Sequence, residues 1–171
     1  MKKLIYFVAI IALFVGCAGS PKTVHALPFS MPDGKTPANN LVTGGQPTVE
    51  DLQAAAAAGY KTVVNLRSET EHGYDATEEA TVTGLKMKYV HIPVNGPDGV
   101  TKENAQLLAQ ALSGPDAFPA IVHCASGNRA GALLALKAYF SDGKTPDEAV
   151  AFGKEAGMLK LESVVRDRMT K

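Results

Sequence analysis

No tryptophan occurs in these 171 residues, and five Tyr and six Phe make up the whole aromatic complement. A chain this poor in large flat side chains offers no stacking platform for nucleobases. An excess of charge of one sign is also missing. The 17 Lys and Arg balance 17 Asp and Glu, with no basic stripe, so a nucleic-acid partner has no electrostatic support. Cysteine is scarce, at Cys17 and Cys124, and His25, His72, His91 and His123 are scattered without the paired spacing of a metal site. Neither a metal nor another cofactor is expected. There is no internal repeat, and the length suits one domain with extras rather than two domains.

Long apolar runs are missing too, except at the start. Met1-Lys2-Lys3 precedes an apolar stretch from Leu4 to Gly16, too short to span a bilayer as a permanent helix, and it reads as a secretion signal. Its end, Leu13-Phe14-Val15-Gly16-Cys17, resembles a bacterial lipoprotein signal, with Phe14 where Leu is usual. That resemblance implies cleavage before Cys17, a lipid on Cys17 and attachment to the cell envelope. Ala18, in place of Asp, resembles lipoproteins sent to the outer membrane, so the expected location is its periplasmic face. Ordinary signal cleavage a few residues on, with a soluble secreted product, is the alternative. Cleavage before Cys17 removes Lys2 and Lys3 and no acid, leaving a mildly acidic mature chain. With Cys17 acylated, Cys124 has no disulfide partner, and an unpaired thiol in an oxidising compartment has to be buried or used.

Residues 1–16 are therefore read as signal peptide and 17–40, with Pro21, Pro28, Pro32, Gly34 and Pro37, as a flexible tether in which residues 27–29 can touch the domain. The folded domain is expected at 41–171. Thr48-Val49-Glu50-Asp51 resembles a capping box opening a helix that ends at Gly59, and Thr62 to Leu66 is a short β-branched strand. Arg67, Glu69 and Glu71 follow that strand, on the sheet edge where α/β folds bind ligands; a solvated turn is the competing reading. Residues 71–83 stay open between helix and loop. A strand over 87–92 ends at Pro93, and Asn95 to Gly99 is turn-forming. Thr101 caps a helix closed by Ser113-Gly114-Pro115, a strand runs from Ala120 to His123, and a helix follows Arg129. Thr145-Pro146-Asp147-Glu148 opens a further capped helix, and a last short one covers 159–169. Strands joined by helices or long crossovers predict an α/β fold, a mostly parallel sheet flanked by helices.

The most informative stretch is Ala120 to Leu134, an apolar strand that reaches Cys124, then Ala125, Ser126, Gly127 and Asn128, then Arg129 and a helix. Such a strand, loop and helix aims backbone amides and the positive end of a helix dipole at one point above the sulfur. The expected site is an anion cradle with Ala125 to Asn128 as its amides. Arg129 grips two oxygens at once, and the same field favours the thiolate of Cys124 as nucleophile. His123 adjoins the nucleophile, where its hydrogen bonds tune the site, and Arg67 is a candidate to face the anion. A buried, inert Cys124 with Arg129 as an ordinary first-turn residue is the competing reading.

His123 to Arg129 resembles the signature loop of the protein tyrosine and dual-specificity phosphatase superfamily. Gly44-Gly45-Gln46-Pro47-Thr48, Gly59 to Arg67, Val90 to Val94 and the helix over 149–157 extend the resemblance to the phosphatase-like domain of beta-lactamase-hydrolase-like proteins, over roughly residues 40–170. It implies a cysteine phosphatase-like fold and hydrolysis of phosphate monoesters through a phosphocysteine, on a phosphorylated protein or small phosphoester. Cys124 is then the nucleophile, Arg129 the clamp and Asp98 the candidate general acid. Three departures open alternatives. Only four residues separate Cys124 from Arg129, the family's acid position falls on Gly96 rather than Asp98, and Ala130 stands where a hydroxyl is usual. Four is the spacing of rhodanese-type sulfurtransferases, which implies a sulfur donor as substrate and a persulfide on Cys124. A non-catalytic module binding a phosphorylated or sulfated partner is the third reading.

Overall fold

The computed structural model describes residues 29–170. The signal peptide, Cys17, His25 and the first part of the expected tether lie outside the described residues. Five strands form one sheet in the order β1 (Lys35–Ala38), β2 (Leu41–Gly44), β5 (Ala120–His123), β3 (Thr62–Asn65) and β4 (Lys88–His91). Of the four strand pairings, that of β1 with β2 is antiparallel and the others are parallel. The mostly parallel sheet flanked by helices is as the sequence predicts.

Side chains alternate across the central strands. Val42, Val63 and Ile121 lie in register and bury one face against Phe29, Met31, Leu52, Ala55 and Val82. Leu52 and Ala55 come from helix α1 (Val49–Ala57), and Val82 from α2 (Glu78–Gly84). Leu41, Val64, Ala120 and Val122 point the other way, into a larger core closed by α3 (Lys102–Ala111), α4 (Asn128–Phe140), α5 (Pro146–Glu155) and α6 (Glu162–Met169). Helix α4 runs through the middle of that layer, with Ala130 to Leu136 all buried. The starts of α1, α3 and α5 sit where the sequence places them, whereas α6 begins at Glu162 rather than at residue 159. Thr48 Oγ1 accepts the Asp51 N–H at 3.1 Å while Asp51 Oδ2 accepts the Thr48 N–H at 3.0 Å, and Thr145 with Glu148 repeats the box on α5.

The folded part begins earlier than Leu41. Phe29 and Met31 are buried, β1 occupies residues from the expected tether, and β2 is a fully buried strand paired with β5. β1 and β2 are interrupted by Pro37, Thr43 and Gly44 and lack the apolar run that marks β3 and β5 in the sequence, and Pro37 is tolerated because β1 is an edge strand. Residues 71–83 divide into a loop and α2. The consequence for function is geometric: Gly44, Asn65, His91 and His123 all end their strands at one edge of the sheet, and the loops that follow them converge there.

Candidate active site

Cys124 leaves β5 at that edge, 1% exposed, with its N–H donated to the Gly44 carbonyl at 3.2 Å. Ala125 and Ser126 are exposed, and Ser126 bridges to Gly45 across the edge. Gly127 turns the chain into α4 with φ +78°, a left-handed conformation that a residue with a Cβ adopts only under strain, and its carbonyl accepts the Gly131 N–H. The leading amides of α4 have no helical acceptors, as at any helix start. They face the same end of the sheet as Cys124. The Asn128 side chain turns away from the cradle. Its Oδ1 accepts the N–H groups of Leu159 and Lys160 at 2.7 and 3.0 Å, tying the α5–α6 connection to the first turn of α4.

Arg129 is 9% exposed, and its guanidinium is held on two sides. Nη1 donates to Glu71 Oε2 at 2.7 Å and to the Val94 carbonyl at 2.9 Å, while Nη2 donates to Glu71 Oε1 at 2.7 Å. This is the fork-to-carboxylate geometry that fixes an arginine in one plane. Burial works against the Arg129 charge, but the Glu71 hydrogen bonds and the neighbouring Cys124 side chain outweigh it, so the cation is held more firmly than in water. The Arg129 bond holds the Glu71 carboxyl below its ordinary range against the opposing effect of burial, with the charges of Arg129 and Arg67 adding to it. A carboxylate so lowered contributes stability above its ordinary range and loses it as pH falls through the lowered value. The pair is therefore intact at neutral pH.

Arg67, expected to face the anion, is 5% exposed and turned to protein partners. It donates to Gln46 Oε1 at 3.1 Å and to the His72 carbonyl at 2.5 Å, and its Nε lies 3.3 Å from Glu71 Oε1. It reaches Arg129 through Glu71. A cavity of about 460 Å³ opens beside this group, lined by Ser68, Glu71, Asn95, Gly96 and Arg129. Asp98, the candidate acid, is exposed in the adjacent turn and is not among those lining residues.

His123, expected to tune the site beside the nucleophile, has no exposed surface and cannot reach a substrate directly. Its Nε2 lies 2.9 Å from Glu78 Oε1, also fully buried, in a close contact without hydrogen-bond alignment, and Nδ1 has no hydrogen-bond partner among the described residues. Asn65, beside His123 in the sheet, donates to Glu78 Oε2 at 2.5 Å and to the Tyr89 hydroxyl at 3.1 Å, and its Oδ1 accepts the Arg67 N–H at 2.8 Å. Burial, first, pushes the Tyr89 phenol up, so it stays neutral. One buried polar network thus joins β3, β4, α2 and the residue before Cys124. Replacing Glu78 by Ala strands His123 without its partner, and a loss of about 3 kcal/mol in unfolding free energy is expected from denaturant melts. A variant as stable as wild type would show that the pair contributes nothing to the fold.

In sequence, Glu71 reads only as a charge near a strand end, and Glu78 only as part of a segment open between helix and loop. The spacing of Arg67 and Glu71, four residues apart, is the available signal for the first. Nothing local marks the second. Among the described residues no group of three or more metal-ligating side chains comes together.

A mostly parallel α/β sheet with a thiol at a strand end, a four-residue loop and a clamped arginine opening a helix defines a domain of the protein tyrosine and dual-specificity phosphatase superfamily. More narrowly, the chain belongs to the family described as DSP-PTPase phosphatase fused to NAD+ kinase, whose model matches residues 29–167. A beta-lactamase hydrolase-like protein of Xylella fastidiosa is 31% identical over 121 residues, covering 68% of this chain and 27% of that protein. The chain thus matches only about a quarter of the length of these curated relatives. A putative phosphatase from Neisseria meningitidis superposes with a TM-score of 0.63 at 24% identity, covering 79% of this chain and 94% of its own. One from Shewanella putrefaciens gives 0.62 at 18% identity, covering 82% and 92%. At these identities the structures share the fold.

Proposed function

We propose that the protein is a cysteine-dependent phosphatase that cleaves phosphate monoesters through a phosphocysteine on Cys124. The observation that carries this reading is the clamp on Arg129, whose guanidinium is fixed by Glu71 and Val94 beside Cys124 and at the wall of an open cavity. A fixed cation at that place stabilises the charge that develops on phosphoryl oxygens and needs no reorganisation during the reaction. The Cys124 thiolate attacks phosphorus, and the bond to the leaving oxygen breaks with its electron pair going to that oxygen. Water then attacks phosphorus, the sulfur–phosphorus bond breaks, and inorganic phosphate leaves with the thiolate restored.

A second reading, sulfur transfer, is favoured by the short loop of four residues between Cys124 and Arg129. There the thiolate attacks the outer sulfur of thiosulfate, the sulfur–sulfur bond breaks, and sulfite departs with the pair. A nucleophilic acceptor such as cyanide then removes the sulfur as thiocyanate. The two readings separate in one experiment. The full-length chain is mixed with p-nitrophenyl phosphate or with thiosulfate, quenched in acid and examined by mass spectrometry. A phosphoryl group on Cys124 together with released nitrophenol is the expected result. An adduct of sulfur alone, with no phosphoryl group under any condition, would replace the phosphatase with the sulfurtransferase.

A further inference from the structure

Cleaving an alkyl phosphate produces an alkoxide whose conjugate acid ionises only near the value for water, about 15.7, whereas the phenol of tyrosine ionises near 10. An enzyme that cleaves both at similar rates has to deliver a proton to the leaving oxygen, from a group that is protonated and within hydrogen-bond reach. The groups that line the cavity here are few.

Glu71 is the only carboxyl group among the lining residues, and both of its oxygens accept from Arg129 at 2.7 Å, with Arg67 Nε behind. It is an acceptor with no proton to give. Asn95 and Gly96 occupy the wall where an acid-bearing loop would stand, and an amide donates a hydrogen bond but not a proton. Ser68 contributes a hydroxyl, too weak an acid for the purpose. Asp98, two residues beyond the lining Gly96, sits in a wound turn that is fastened at both ends. The Gly99 N–H donates to the Asn95 carbonyl at 3.1 Å, the Val100 N–H to the Pro97 carbonyl at 3.1 Å, and Asn104 Nδ2 to the Gly99 carbonyl at 2.8 Å. Gly99 packs so closely that a Cβ there would stand 2.5 Å from the Asn95 nitrogen. A turn bound this way holds Asp98 on the exposed side instead of swinging it over Arg129.

We infer that the site works without a general acid and therefore selects its substrates by leaving group, cleaving phosphate esters of phenols and enols and acyl phosphates but not alkyl esters such as phosphoserine. This rests on the phosphatase reading above and narrows it. The same feature suits thiosulfate, because sulfite also leaves without a proton.

The test is a leaving-group series. kcat/KM of the full-length chain is measured for aryl phosphates from dinitrophenyl to phenyl and for a phosphoserine peptide. That quantity reports the first chemical step even where phosphocysteine hydrolysis limits kcat. A fall of roughly five- to tenfold per unit of leaving-group pKa, no cleavage of the phosphoserine peptide, and the same slope in Asp98→Asn are expected. A shallow series that turns steep in Asp98→Asn would make Asp98 the proton donor and overturn the inference while leaving the phosphatase standing. Phosphoserine turnover comparable to that of phenyl phosphate would overturn it in the same way. An absence of Cys124-dependent release from every phosphate would overturn the phosphatase reading itself, and this inference with it.

Discussion

If the proposed phosphatase reading holds, Arg129→Lys is expected to lower kcat/KM for p-nitrophenyl phosphate by about 10²–10³-fold and Cys124→Ser to remove the activity to background, each with the fold retained. The size of the Arg129 effect follows from its geometry. A guanidinium donates in one plane to both oxygens of Glu71 and to the Val94 carbonyl, which leaves Nε and the second Nη2 hydrogen outside those bonds. A lysine ammonium is a point charge on a flexible stem, which satisfies Glu71 or a substrate oxygen but not both in fixed positions. Glu71→Gln is the finer probe of the same clamp. It preserves the shape but removes the charge that holds Arg129, and a loss of about tenfold is expected. Because both variants act through one contact, the double variant falls short of the product of the two effects. Steady-state kinetics with circular dichroism as the control decides the matter. An Arg129→Lys enzyme within about threefold of wild type would mean that the helix amides alone hold the anion.

Gly131→Ala is expected to destabilise the protein strongly, and its sign decides between two physical effects. Alanine is the better helix former by about 1 kcal/mol, so propensity alone predicts a more stable protein. Packing predicts the opposite. A Cβ on Gly131 would stand 2.4 Å from the Met158 nitrogen, 2.5 Å from the Gly153 carbonyl oxygen and 2.9 Å from the Met158 Cβ. Two of these are backbone atoms of α5 and the turn after it, so relief requires moving the helix rather than turning a side chain. Overpacking at that closeness costs about 3 kcal/mol, and a fall in Tm of about 10 °C is expected. Gly84 serves as the control, since a Cβ there meets nothing within 4 Å and Gly84→Ala should leave Tm unchanged or slightly higher. A rise in Tm for Gly131→Ala would show that α4 and α5 separate easily. Because Arg129 opens the same helix, a displaced α4 also carries the clamp out of place, so loss of activity should accompany the loss of stability.

Glu71 and Glu78 stand in one connection, seven residues apart, and do different things. Glu71 is partly exposed and holds the arginine from the cavity side. Glu78 is wholly buried and meets His123 from beneath the sheet edge. The loop between them is therefore fastened to both sides of the cradle, to the clamp above and to the residue preceding the nucleophile below.

The sequence by itself determined the features that depend on neighbours along the chain. Cys124 and Arg129 share one strand-to-helix turn, Thr48 and Thr145 close capping boxes four residues long, and the apolar runs of β3 and β5 announce buried parallel strands. Each of these is fixed by bonds and spacings within about ten residues, where the residue pattern and the geometry are nearly the same statement. Only the tertiary structure decided that Glu71 meets Arg129 across 58 positions, that Glu78 meets His123, that Arg67 acts through Glu71, and that residues before Leu41 join the sheet through β1. A charge in a loop has no periodicity that points to its partner, and a four-residue strand has too few alternations to name its neighbour. Those contacts exist because parallel pairing brings the ends of β2, β3, β4 and β5 to one edge, and pairing between distant segments follows from how the whole core packs rather than from any stretch of sequence alone.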